Sequence, residues 1–78
     1  MDLRRVFAEN LHRLRTQKGV SQEALAYEAG VDRTYISSLE RGIYSPTLDM
    51  VGKLATALEV KPEELVRSLG AVKGRSDR

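Results

Sequence analysis

The sequence has no cysteine, only one histidine and no long apolar run. Without cysteine there can be no disulfide and no thiolate-bound metal, and a single histidine cannot form a zinc site alone. We therefore expect no metal and no cofactor. No segment has the pattern of a signal peptide or a membrane span, so we expect a cytoplasmic protein without a membrane partner.

The chain is short and weakly basic, with 78 residues and a formal net charge of +2. A chain of this length forms one domain with a thin core, which oligomerisation commonly reinforces. The positive charge is compatible with nucleic-acid binding but does not establish it, because the distribution of charge matters more than its total.

The most informative segment is residues 21–42, SQEALAYEAGVDRTYISSLERG. Ser21 is a good N-cap for a helix that runs to about Ala29. Gly30 supplies the permissive backbone that is common just past a helix end, and Asp32 can cap a second helix. Two helices that meet at a steep angle across three or four residues form a helix-turn-helix unit.

The second helix of this unit has an apolar face and a polar face. At about 100° per residue, Tyr35, Ile36 and Leu39 share one arc, with Glu40 at its margin. Arginine can donate two hydrogen bonds to guanine in the major groove, and hydroxyl groups can bond base edges or phosphates. The opposite arc holds two arginines and three hydroxyl groups, and no acid: Arg33, Thr34, Ser37, Ser38 and Arg41. This arc predicts DNA binding.

Several motifs resemble those of the Cro/C1-type (XRE) helix-turn-helix regulators: RTQKGVSQEALA, the turn at Gly30, ISSLERG and SPTLDMVGKLATALEV. The string DRTYIS is also similar to the controller proteins of restriction-modification systems. The resemblance covers residues 3–69. It implies an all-α, five-helix lambda-repressor-like DNA-binding domain, here residues 1–69, that regulates transcription.

The resemblance also implies roles for individual residues. Base-reading positions fall on Arg33, Thr34 and Ser38. Gln22 matches a glutamine that binds phosphate and braces the reading helix, and helix N-termini present free N–H groups to phosphate. Contacts with the DNA backbone are expected at the remaining positions: Ser37, Arg41, Tyr44 and Ser45. Half-buried packing is the alternative for Tyr44.

A structural ion pair and the absence of a catalytic site are expected as well. Arg15 and Glu40 match a family pair that locks helix geometry. His12 is expected to be a partly exposed helix residue rather than a catalyst or ligand. No nucleophile, base and orienting residue form a recognisable set, so we expect no catalytic residue and no enzyme.

The rest of the chain predicts supporting helices. The first covers residues 2–18, and a fourth runs from a cap at Thr47 to Leu58, followed by a fifth that begins at Pro62. Residues 70–78 have little to bury and predict a flexible basic tail. Two faces are expected to point inward: Leu3, Phe7, Leu11 and Leu14 on the first helix, and Leu48, Val51, Leu54, Ala55 and Leu58 on the fourth.

The fourth and fifth helices carry more apolar side chains than a small core needs. Some of them are therefore expected to form a two-fold dimer patch: Met50, Val60, Leu65, Val66 and Leu69. A homodimer would place two reading helices about 34 Å apart, one DNA turn, which matches a palindromic operator.

Together these features predict a sequence-specific transcriptional regulator that binds a double-stranded operator through the major groove. RNA polymerase is a further partner that the resemblance allows, because family activators contact it through two acids on the helix of residues 22–29. Glu23 matches the first acid but Tyr27 replaces the second, so repression is preferred. The alternative is a protein-interaction module, such as an antitoxin or adaptor, whose reading helix would expose acids or apolar groups. The sequence lacks that pattern.

Overall fold

The computed structural model describes residues 2–68, which form five helices and no strand. The helices are α1 (Leu3–Lys18), α2 (Gln22–Ala29), α3 (Arg33–Glu40), α4 (Leu48–Leu58) and α5 (Pro62–Val66). The predicted all-α, five-helix fold is confirmed. Leu69 and the predicted basic tail of residues 70–78 lie outside the described residues.

Polar side chains begin three of the helices. Asp2, Ser21 and Thr47 each accept a backbone N–H bond in the first turn of α1, α2 and α4, which satisfies a donor that the helix cannot. Asp32 holds the N-cap position of α3, but its side chain makes no capping hydrogen bond. Asp32 thus stands at the predicted cap position, but its side chain does not cap the helix.

Left-handed residues end the first, second and fourth helices. Gly19 and Gly30 follow α1 and α2 with φ of 79° and 74°, a conformation that glycine adopts without a steric penalty. Glu59 takes the same conformation after α4, with φ of 62°. Within residues 2–68 it is the one residue other than glycine with positive φ.

A single hydrophobic core lies between the helices. α1 packs against α3, α4 and α5, and α2 packs against α3 and α4. Every helix contributes a fully buried side chain to this core: Phe7, Leu11, Leu25, Ile36, Leu39, Leu54 and Leu65. α3 is therefore held in position by its packing against α1 and α2.

The side chain of Asn10 connects α1 to the end of α5. This side chain is buried, and its Nδ2 donates to the backbone oxygen of Leu65 at 3.0 Å and to that of Arg67 at 2.9 Å. Arg13 in turn donates to Asn10 Oδ1 at 3.1 Å. The amide thus satisfies carbonyl groups at the end of α5, where intrahelical partners run out.

Three predictions drawn from apolar patterning are wrong. Leu3 and Leu48 were expected to be inward but are 55% and 89% exposed. Each is the first residue of its helix, and burial begins only at Phe7 in α1 and at Val51 in α4. Leu65 was expected at a dimer interface but is fully buried within one chain. It has no surface to offer a partner.

Candidate nucleic-acid interface

α3 turns its polar arc to the solvent. Ile36 and Leu39 are fully buried on the inner side, and Tyr35 is half-buried. Arg33, Thr34 and Arg41 are exposed, and Ser37 and Ser38 are half-buried. The structure therefore brings all five residues of the predicted polar arc to one side of the molecule.

Gln22 connects the first turn of α2 to the first turn of α3. Arg33 donates a guanidinium N–H to Gln22 Oε1 at 3.2 Å. Gln22 Nε2 donates to Glu40 Oε1 at 3.1 Å. Gln22 thus holds the side chain of Arg33, which is expected to read a base, and is itself bound to Glu40.

Glu40 is the buried centre of this arrangement, with a side chain only 6% exposed. Arg15 donates to both of its carboxylate oxygens, through Nε to Oε2 and through NH2 to Oε1, the latter at 3.1 Å. Arg15 also donates to the backbone oxygen of Val20 at 2.8 Å. The predicted ion pair is present and links α1 to α3, and Gln22 joins α2 to it through its bond to Glu40.

The protonation of this pair follows from its contacts. Burial raises the pKa of Glu40, but hydrogen bonds from Arg15, His12 and Gln22, together with the charge of Arg15, outweigh burial and leave that pKa below its ordinary value. The hydrogen bond to Glu40 raises the pKa of Arg15, against the opposing effect of burial. Both groups are therefore charged at neutral pH.

Sequence reasoning missed the contact that His12 makes with this pair. Its Nδ1 lies 3.0 Å from Glu40 Oε1 and 3.3 Å from NH2 of Arg15, and the tautomer decides which of the two it bonds. His12 is exposed, as predicted. Residues three apart on a helix share a face, so the spacing of His12 and Arg15 was the available signal.

The loop after α3 lies against that helix. Gly42 turns the chain with φ of 74°. The rings of Tyr35 and Tyr44 then stack, with centroids 6.5 Å apart and an interplanar angle of 26°. Tyr44 remains 54% exposed and Ser45 is exposed. One side of the Tyr44 ring packs against Tyr35 and holds the loop in place, while the rest of the ring faces solvent.

The residues expected at a dimer interface fall into different environments. Met50 and Val60 are half-buried and pack against the core. Val66 is 40% exposed, and Leu69 lies outside the described residues. Leu3 and Leu48 instead lie beside Val66 around one shallow groove of about 350 Å³.

Two further properties concern residues 2–68 alone. No group of three or more histidine, aspartate or glutamate side chains in this range could hold a metal ion. Among the five described helices, none is both long and apolar enough to cross a membrane.

This geometry defines a helix-turn-helix domain, and comparison with known proteins supports that class. Residues 11–65 match the helix-turn-helix family model HTH_3. A helix-turn-helix transcriptional regulator of Sinorhizobium fredii, y4dJ, is 44% identical over 66 residues, covering 85% of this chain and 86% of that protein. The control protein C.BamHI of Bacillus amyloliquefaciens is 39% identical over 66 residues, covering 83% of this chain and 82% of its own.

A solved structure agrees with these relatives. The restriction-modification controller protein C.AhdI from Aeromonas hydrophila superposes with a TM-score of 0.77 at 47% identity, covering 80% of this chain and 90% of that one. The chain belongs to the XRE-type helix-turn-helix family, whose members are DNA-binding transcription regulators rather than enzymes.

Proposed function

We propose that this regulator is a sequence-specific repressor that binds a palindromic operator as a homodimer through the major groove. The observation that carries the proposal is the chain of contacts from Glu40 through Gln22 to Arg33. It holds a guanidinium in place on the polar arc of α3, whose five residues include no acid. Such preorganisation reduces the ordering cost of binding.

We assign base reading to Arg33, Thr34 and Ser38, and backbone contact to Ser37, Arg41, Tyr44, Ser45 and Gln22. Gln22 can serve both the protein and the DNA. Its amide nitrogen has two N–H groups, one of which goes to Glu40, so the other is available to a phosphate oxygen. Its backbone N–H lies in the first turn of α2, where helices leave donors unpaired.

The dimer patch that we propose differs from the one expected from the sequence. It comprises Leu3, Leu48 and Val66, which are exposed and surround one groove. Burying them against a second copy would remove apolar surface from water, at roughly 25 cal/mol per Å². The patch adjoins the loop that follows α3 and the first turn of α1, because Arg4, Ser45 and Pro46 line the same groove.

Repression requires only that the operator be occupied. Tyr27 is 87% exposed at the position where family activators carry the second acid, and Glu23 is the one acidic residue in the first turn of α2. RNA polymerase would therefore be a partner only through Glu23. The protein-interaction alternative is weaker, since α3 exposes no acid or large apolar group on its polar arc. We place this activity in the cytoplasm.

Selection of binding sites from random duplex DNA tests the proposal. We expect enrichment of a two-fold symmetric sequence whose half-sites are separated by about one DNA turn. The selected palindrome and a single half-site are then compared by fluorescence anisotropy, with tighter binding expected for the palindrome. A selection that enriches no motif, or equal affinity for palindrome and half-site, would contradict the proposal.

A further inference from the structure

The N-terminal half of α1 lies beside the loop that follows the reading helix. A Cβ placed on Gly42 would lie 4.0 Å from the Cβ of Ala8. Arg4 is one turn earlier on the same face of α1, since residues four apart are neighbours on a helix surface. Its guanidinium NH1 donates to the backbone oxygen of Ile43 at 3.4 Å. The bond to Ile43, together with the approach of Ala8 to Gly42 one turn further along α1, places Arg4 next to the loop.

Within residues 2–68, Arg4 differs from most other basic residues on α1 in having no acidic partner. In residues 2–68 no carboxylate lies within ion-pair distance of its guanidinium, and Asp2 accepts only its backbone N–H. A guanidinium has five N–H donors, and in the described part of the chain one of them is used. Three other basic residues of the helix are paired with acids: Arg5 with Glu9, Arg15 with Glu40 and Lys18 with Glu59.

We propose that Arg4 donates to a DNA phosphate beside those contacted by Tyr44 and Ser45. This inference rests on the DNA binding proposed above and extends the protein's contact with the DNA backbone to the first turn of α1. The carbonyl of Ile43 keeps the side chain close to the loop, and arginine binds phosphate through strong charge-assisted hydrogen bonds. Because such a contact carries no base information, Arg4 fixes the position of the reading helix and not its sequence preference.

The test compares Arg4→Gln with Arg5→Gln. The second substitution removes the same charge at the next residue, from a side chain that is paired with Glu9. Binding to the selected operator and to a random-sequence duplex is measured across a salt series by fluorescence anisotropy. A phosphate contact contributes about 0.9 to the steepness of log K against log salt concentration, so a homodimer that loses one contact per protomer should show a slope shallower by about 1.8. We expect that change for Arg4→Gln on both DNAs, and the wild-type slope for Arg5→Gln and for Arg4→Lys.

Circular dichroism and sedimentation equilibrium of each variant separate this effect from changes in folding or assembly. An unchanged slope for Arg4→Gln, or an equal drop for Arg4→Gln and Arg5→Gln, would overturn the contact while leaving the proposed function standing. Weakened self-association of Arg4→Gln would also overturn it, because Arg4 would then belong to the dimer. A wild-type protein that binds neither DNA would overturn both proposals.

Discussion

Arg33 is the side chain on which the proposed sequence preference most depends. A bidentate contact with guanine contributes about 1 to 3 kcal/mol of discrimination. Arg33→Ala should therefore weaken operator binding far more than binding to random duplex DNA, measured by anisotropy at fixed salt. Arg5→Ala removes the same charge from an exposed position of α1 and should change neither. Equal losses on both DNAs for Arg33→Ala would make it a phosphate contact.

Glu40 should control the stability of the domain. Removing one partner of a buried pair leaves the other charge uncompensated, at a cost of about 3 to 5 kcal/mol. Glu40→Ala should therefore lower the urea midpoint sharply. Replacing both partners, by Arg15→Met with Glu40→Leu, should recover most of the loss. A midpoint for Glu40→Ala close to that of the wild type would show that the pair contributes little.

The same carboxyl group predicts how stability depends on pH. The pKa of Glu40 is lower in the folded protein than its ordinary value, so the unfolded chain binds its proton first as the solution is acidified. Its stabilising effect is present above the ordinary pKa and is lost as the pH falls through the folded pKa. Urea unfolding from neutral to acidic pH should show this loss in the wild type and a shallower decline in Glu40→Gln.

At the scale of a single helix, Gly52 makes α4 less stable than alanine at the same position would. It lies inside α4, and a Cβ there would meet no atom within 4 Å. Since alanine is favoured over glycine in a helix interior, Gly52→Ala should raise the free energy of unfolding by roughly 0.5 to 1 kcal/mol. Gly30→Ala also has open space but a φ of 74°, so it should destabilise. Urea unfolding checks both signs.

The helices were predictable because their signals are local. Ser21, Thr47, Gly19 and Gly30 mark ends within a few residues of the turns that they cap, and the spacing of Ile36 and Leu39 sets the inner face of α3. The exposure of Leu48 was not predictable in the same way. A helix wheel assigns a face but not the point along the axis where packing stops.

The contacts of the candidate site were less predictable than its residues. Arg15, Glu40 and Gln22 could be matched to family positions one by one. The hydrogen bonds from Arg15 and Gln22 to the same carboxylate oxygen of Glu40, and the contact from His12, form only when α1, α2 and α3 pack together. The two hydrogen bonds that the Asn10 side chain donates at the end of α5 join residues more than fifty positions apart. No local pattern in the sequence predicts such a pairing.

For the whole molecule, the proposed dimer patch predicts a separation between folding and assembly. Leu48 is 89% exposed, so Leu48→Asp should leave the circular dichroism spectrum unchanged, and the urea midpoint unchanged at concentrations where both proteins are monomeric. It should shift sedimentation equilibrium towards monomer and weaken binding to the palindrome more than to a half-site. Tyr27→Asp changes an equally exposed apolar side chain on α2 and should leave the dimer intact. A Leu48→Asp protein that still dimerises at wild-type concentrations would exclude this patch.

The bonds from Asn10 to Leu65 and Arg67 have a consequence for incomplete chains. A five-residue helix is too short to persist alone in water, so α5 depends on α1 for its position. A chain that stops before residue 65 would contain the sequence of α2 and α3 but lack the buried Leu65, the partners of Asn10 and Val66 of the proposed patch. Under the proposed dimer model, such fragments would not compete with the complete domain for the operator.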